Sequence, residues 1–144
     1  MYHFLVVGHG EYPSGVKSAL QLLIGDEVQV TSLNLDENTT HDDMTKKAEE
    51  FLRHHEKVMV FADLTGGAPH QKVSEILLGD DMPPDHMIIS NISMGLMMDV
   101  IMKLQFSPPE NASDALEQIT DSTKQDVNGP SVLCKQMMEQ GQDG

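Results

Sequence analysis

Two uninterrupted apolar runs, Phe4-Leu5-Val6-Val7 and Val58-Met59-Val60-Phe61-Ala62, constrain this chain more than any other feature. Each is too short for a helix and rich in β-branched or aromatic residues, so each reads as a strand buried on both faces. Each is followed by a glycine-containing turn and then by apolar residues at helical spacing. After the first come Val16, Ala19, Leu20, Leu23 and Ile24; after the second come Val73, Ile76 and Leu77. A strand with two apolar faces needs a layer on each side. The chain must therefore fold as α/β, with a mainly parallel sheet and helices on both faces.

The remaining segments fit that frame. Val28 to Leu35 alternates apolar and polar residues, which predicts a half-exposed strand at a sheet edge. Pro13 suits a first helical turn, and Gly25 and Gly79 suit helix stops. Thr39 and Thr40, with Asp42 and Asp43 three residues on, form capping signals for a helix carrying Met44, Ala48, Phe51 and Leu52. Pro83-Pro84 marks a loop before a fourth strand, Met87-Ile88-Ile89, that ends at Ser90-Asn91. Met94, Met97, Met98, Ile101 and Met102 make a helical stripe suited to the core or to a subunit interface. Pro108-Pro109 ends that helix, and Ser113 is expected to cap a last one carrying Leu116 and Ile119. Residues 127–133 predict a short strand. One domain is expected over 1–134, with 135–144 as a polar, fraying tail. Placing the two apolar strands centrally and the alternating one outside gives a flavodoxin-like 2-1-3-4 order. In that order the carboxyl ends of strands 1 and 3 adjoin at the topological switch point, where open α/β sheets place their chemistry.

Charge and cysteine content exclude several functions. A formal net charge of −14 leaves no basic stripe for nucleic acid and suits docking against a basic partner face. Cys134 is the only cysteine, so an intramolecular disulfide is ruled out and a small apolar filler is expected. No apolar run reaches the length of a membrane span, and the expected location is cytoplasmic.

The topology gives one histidine a partner. Strand 1 ends at Gly8-His9-Gly10 and strand 3 ends at Asp63, so these two side chains are expected to meet. A carboxylate accepting the Nδ1 hydrogen fixes the imidazole tautomer and leaves Nε2 as an outward-facing nucleophile. Gly66-Gly67 follow at a helix start, where backbone N–H groups favour a phosphoryl oxygen. An aspartate at a strand end can equally serve as a helix cap, and Gly-Gly-Ala-Pro can be turn chemistry alone. The joint occurrence favours a phosphoryl acceptor at His9. The other histidines offer less: His54 and His55 face different directions, His41 starts a solvated helix, and His3 and His86 lie at the opposite end of the sheet. His70, just after Pro69, is the single rival near His9. No metal and no cofactor are expected.

With these residues the chain resembles the IIA component of the mannose-type (mannose–fructose–sorbose) class of the sugar phosphotransferase system. The resemblance rests on Gly8-His9-Gly10, Asp63 with Gly66, Gly67 and Pro69, and Asn91, over about the first 105 residues. It implies that His9 accepts a phosphoryl group at Nε2 from the histidine-containing phosphocarrier protein and passes it to a cognate IIB component. IIC and IID membrane components would be served indirectly. It implies that Asp63 orients His9, and that Gly8, Gly10, Thr65, Gly66, Gly67 and Asn91 serve the phosphoryl group or the partner. It also implies a homodimer exchanging a carboxyl-terminal strand, for which 127–133 is the candidate. The chain departs from the family at Gly8, Leu64 and Ala68, where hydroxyl residues are frequent, and at Ser93, where proline is common. Thr65 offers a displaced hydroxyl. Other readings are a regulatory module, a phosphoryl donor in a dihydroxyacetone kinase system, and a flavodoxin-like cofactor binder; the last would need a Ser/Thr-rich first loop.

Overall fold

A computed structural model of the protein describes residues 1–123 and 128–138. Strand and helix alternate as β1 (His3–His9), α1 (Tyr12–Ile24), β2 (Val30–Leu35), α2 (His41–His54), β3 (Val58–Ala62), α3 (Ala68–Leu77), β4 (Met87–Ser90) and α4 (Met94–Phe106). Helix α5 (Ala112–Ile119) and strand β5 (Ser131–Cys134) follow. The sheet runs β2-β1-β3-β4-β5. The first four strands are parallel, in the expected order, and β5 adds antiparallel to β4 at the far edge.

The two apolar runs occupy the centre because their residues alternate between two cores. Phe4, Val6, Met59 and Phe61 face α1, α4 and α5. Leu5, Val7, Val58, Val60 and Ala62 face α2 and α3. The rings of Phe4 and Phe61 stack across neighbouring strands, with centroids 6.2 Å apart. Neither strand could tolerate a polar residue on either face, which is why both read as unbroken apolar runs.

Several local expectations shift. Strand β2 begins at Val30 and not at Val28, which is buried just ahead of it; the strand's mostly half-buried side chains match its edge position. Thr40 caps α2 in a complete capping box with Asp43. Asn111, and not Ser113, caps α5, its side chain accepting from the Asp114 N–H at 2.9 Å. The methionine stripe divides: Met97 and Ile101 are fully buried and Met98 packs against the core, whereas Met94 and Met102 are exposed. The strand expected over 127–133 is β5, and Val127 lies outside the described residues. Of the expected tail, 135–138 form a helical turn; 139–144 lie outside the described residues. Among the described residues no helix is long and apolar enough to cross a membrane.

Candidate active site at the carboxyl ends of strands 1 and 3

Register brings the central pair together. Val7 sits opposite Ala62 in the β1–β3 ladder, so the next residues along, Gly8 and Asp63, are neighbours at the sheet's rim. A Cβ on Gly8 would stand 2.9 Å from the Asp63 Cγ, a separation that real side chains do not allow. The missing side chain is the space the carboxylate occupies. That contact accounts for the glycine at this position.

From this seat Asp63 Oδ2 accepts twice from His9, from the backbone N–H at 2.9 Å and from the ring at Nδ1, 2.8 Å away. Its other oxygen, Oδ1, accepts from the Leu64 N–H at 2.8 Å. Partial burial pushes the Asp63 carboxyl pKa up, and the three donors together outweigh it, so the group is held below its ordinary value. An ionised Asp63 accepts the Nδ1 hydrogen, which leaves Nε2 with a free lone pair. The His9 side chain is 47% exposed and that of Asp63 only 12%, so the ring is presented while its partner is covered.

The following turn supports the ring directly. A Cβ on Gly67 would meet the His9 Cε1 at 3.1 Å, so the imidazole lies against this glycine. Gly10 and Gly66 both have left-handed backbone, at φ 61° and 84°. The Gly66 and Gly67 N–H groups, expected to face an anion, are engaged within the turn. Gly66 donates to Nδ1 of His70 at 2.9 Å, and Gly67 donates to the Leu64 carbonyl at 3.1 Å. A phosphoryl group arriving at His9 would meet these two donors already satisfied.

Thr65 and Asn91 connect the site to the far side of the sheet. The Thr65 hydroxyl shares a hydrogen with Ser90, 2.6 Å away at the end of β4, and so is not directed to the His9–Asp63 pair. Asn91, at φ 55°, donates through Nδ2 to the carbonyls of Asn128 and Gly129, the turn that leads into β5. Tyr12, Ser90 and Ile92 were not singled out in the sequence. Tyr12 and Ile92 line a cavity of about 520 Å³ with Asp63, Leu64, Asn91 and Ser93. Burial and the nearby Asp63 charge push the Tyr12 phenol up, so it stays a neutral donor beside the carboxylate. Its position two residues after Gly10, at the start of α1, was the available signal, but a helix-start tyrosine has too many ordinary roles to stand out.

The remaining histidines separate as expected. His54 and His55 each have Nδ1 at 2.7 and 2.8 Å from backbone carbonyls one turn earlier. His86 is buried at the other end of the sheet. Among the described residues no cluster of His, Cys, Asp or Glu could hold a metal ion. A cavity of about 590 Å³ near Arg53, Asp81 and Pro84 also lies away from His9; its size does not make it the reactive site.

Comparison with known proteins identifies the family and the fold. Residues 3–119 match the family described as PTS system fructose IIA component. The chain belongs to this family. No curated protein sequence matches it. Solved structures similar to it include the phosphotransferase system component EIIA of Streptococcus agalactiae, at 22% identity and TM-score 0.70 over 85% of this chain and 92% of that one. The mannose/sorbose-specific IIA subunit of Enterococcus faecalis is 18% identical, with TM-score 0.66 over 87% and 93%. A PTS IIA protein associated with the fucose utilisation operon of Streptococcus pneumoniae is 20% identical, with TM-score 0.62 over 84% and 90%. At these identities the structures establish the shared fold, and the family match places this IIA domain in the sugar phosphotransferase system.

Proposed function

We propose that this IIA domain carries a phosphoryl group on Nε2 of His9. The group comes from the histidine phosphocarrier protein and goes to a cognate IIB component, which serves sugar uptake through IIC and IID membrane components. The observation behind this reading is the 2.8 Å contact of His9 Nδ1 with an Asp63 carboxylate held ionised, on a ring whose side chain stays accessible. The Nε2 lone pair forms a bond to phosphorus as the nitrogen–phosphorus bond of the donor histidine breaks. That electron pair returns to the donor ring, which leaves neutral. Positive charge develops on the His9 ring, whose Nδ1 keeps its hydrogen and donates it to Asp63; the ionised carboxylate offsets the charge as it forms. Gly8 makes room for the Asp63 carboxylate, Gly10 keeps the approach open, and Gly67 supports the ring. Thr65, Gly66 and Asn91 hold the surrounding loops and are assigned to partner contact at the rim.

The test is incubation with phosphoenolpyruvate, enzyme I and the phosphocarrier protein. An acid-labile, base-stable phosphate is expected on the wild type and absent from His9→Ala; undiminished labelling of that variant would sink the assignment.

A homodimer with exchange of the carboxyl-terminal strand is part of the same proposal. Two features support it: β5 adds to the sheet at an edge by only four residues, and Leu22, Met102 and Phe106 are exposed on α1 and α4. Light scattering on the purified chain should return twice its 15.9 kDa mass; a monomer at micromolar concentration would remove this part alone. The location expected for such a component is the cytoplasm.

A further inference from the structure

The start of α3 has no side-chain cap at Gly67, its first flanking residue. His70 stands three residues later, where a capping-box glutamate or glutamine would reach back to the chain ahead of the helix. Its Nδ1 reaches Gly66, accepting that N–H at 2.9 Å. The Gly66 φ of 84° is left-handed, and Gly67, the next residue, lies against Cε1 of His9, the carbon between its two nitrogens. The imidazole of His70 therefore ties down the turn on which the reactive ring rests.

We propose that His70 is a positioning residue for phosphoryl transfer: by accepting the Gly66 N–H it fixes the Gly66-Gly67 turn and hence the ring of His9. This rests on His9 being the acceptor. Only a ring with Nδ1 unprotonated can accept this hydrogen bond, which places the hydrogen of neutral His70 on Nε2. Burial lowers the His70 pKa and so favours that neutral form.

The test uses phosphoramidate as well as the phosphocarrier protein, so that chemistry at His9 is read apart from partner recognition. With phosphoramidate the nitrogen–phosphorus bond of the reagent breaks, ammonia leaves with the electron pair, and Nε2 of His9 takes the phosphoryl group. His70→Phe keeps a ring but no acceptor; His70→Asn puts Oδ1 the same number of bonds from the backbone as Nδ1. Labelling of His9 is expected to slow about three- to tenfold in His70→Phe, the effect of losing one hydrogen bond. In His70→Asn it should return to within about twofold of wild type, since the replacement acceptor keeps the bond. Proton–nitrogen correlation spectra should show His70 as the Nε2–H tautomer, with a coupling from the Gly66 amide across the hydrogen bond. Equal rates in all three proteins, or His70→Asn as slow as His70→Phe, would overturn the inference. Labelling by phosphoramidate but not by the phosphocarrier protein would fail the proposed donor while still reading the role of His70. No labelling of wild-type His9 by either reagent overturns both.

Discussion

The two ends of the sheet each hold a histidine fixed through its ring, and they use it in opposite ways. At the carboxyl end His9 leans on a carboxylate and keeps its side chain 47% exposed. At the amino end His86 is 1% exposed and is gripped by backbone on both sides. Its Nδ1 accepts from the Val58 N–H at 3.0 Å and its Nε2 donates to the Leu52 carbonyl at 2.7 Å, joining β3 to the end of α2. A backbone-satisfied ring has no nitrogen left to react. A carboxylate-paired ring has one nitrogen fixed and the other free. The partner, and not the histidine, decides between structure and chemistry.

Exchanging losses at the two ends gives the sharpest test of that contrast. His9→Ala should abolish phosphorylation and leave the urea midpoint where it was, since the ring is at the surface. His86→Ala should do the reverse. It leaves a buried N–H and a buried carbonyl unpaired, at a cost of about 3 kcal/mol measured by urea unfolding, with labelling of the folded protein near normal. A loss of activity in His86→Ala with stability intact would erase the distinction. Asp63→Asn comes next: replacing a charge-assisted bond should slow transfer about 30-fold, equal to roughly 2 kcal/mol, through a wrong tautomer in an intact fold. Stopped-flow transfer rates at wild-type level would remove Asp63 from the mechanism. Gly8→Ala should follow, at about tenfold, because the new methyl group displaces the carboxylate from His9. A crystal structure of that variant with the 2.8 Å contact unchanged would contradict this account.

Acidification gives the smallest effect and also separates the ends. Burial lowers the His86 pKa below its ordinary 6.5. The stability it contributes is therefore complete above pH 6.5 and lost as pH falls through the lower folded value. His3 and His70 are shifted the same way, also by burial. The Asp63 contribution is complete above its ordinary 3.8 and lost only as pH falls through a value below that. Unfolding free energy should thus begin to fall below pH 6.5, and His86→Ala should flatten part of that slope. The His9–Asp63 contact, followed by the His9 ring resonances, should report loss of the carboxylate only in the more acidic window.

Much of this was legible in the chain. Unbroken apolar runs can belong only to strands covered on both sides, so the sheet's centre, its 2-1-3-4 order and the meeting of His9 with Asp63 followed from patterning. The Gly66-Gly67 turn was legible as a turn but not in its use. Its N–H groups looked free for an anion, and only the side chain of His70 and the carbonyl of Leu64, both brought in by folding, show them occupied. Asn111 replaced Ser113 as a cap because both residue types accept equally well there and tertiary packing chose the start of the helix. The sequence by itself determined which residues end the central strands, since hydrophobic alternation is a local property. The tertiary structure alone decided why residue 8 is glycine and which nitrogens of His9 and His86 are engaged. Those depend on register and close approach between segments distant in the chain, 54 residues for His9 and Asp63 and 28 and 34 for His86 with Val58 and Leu52.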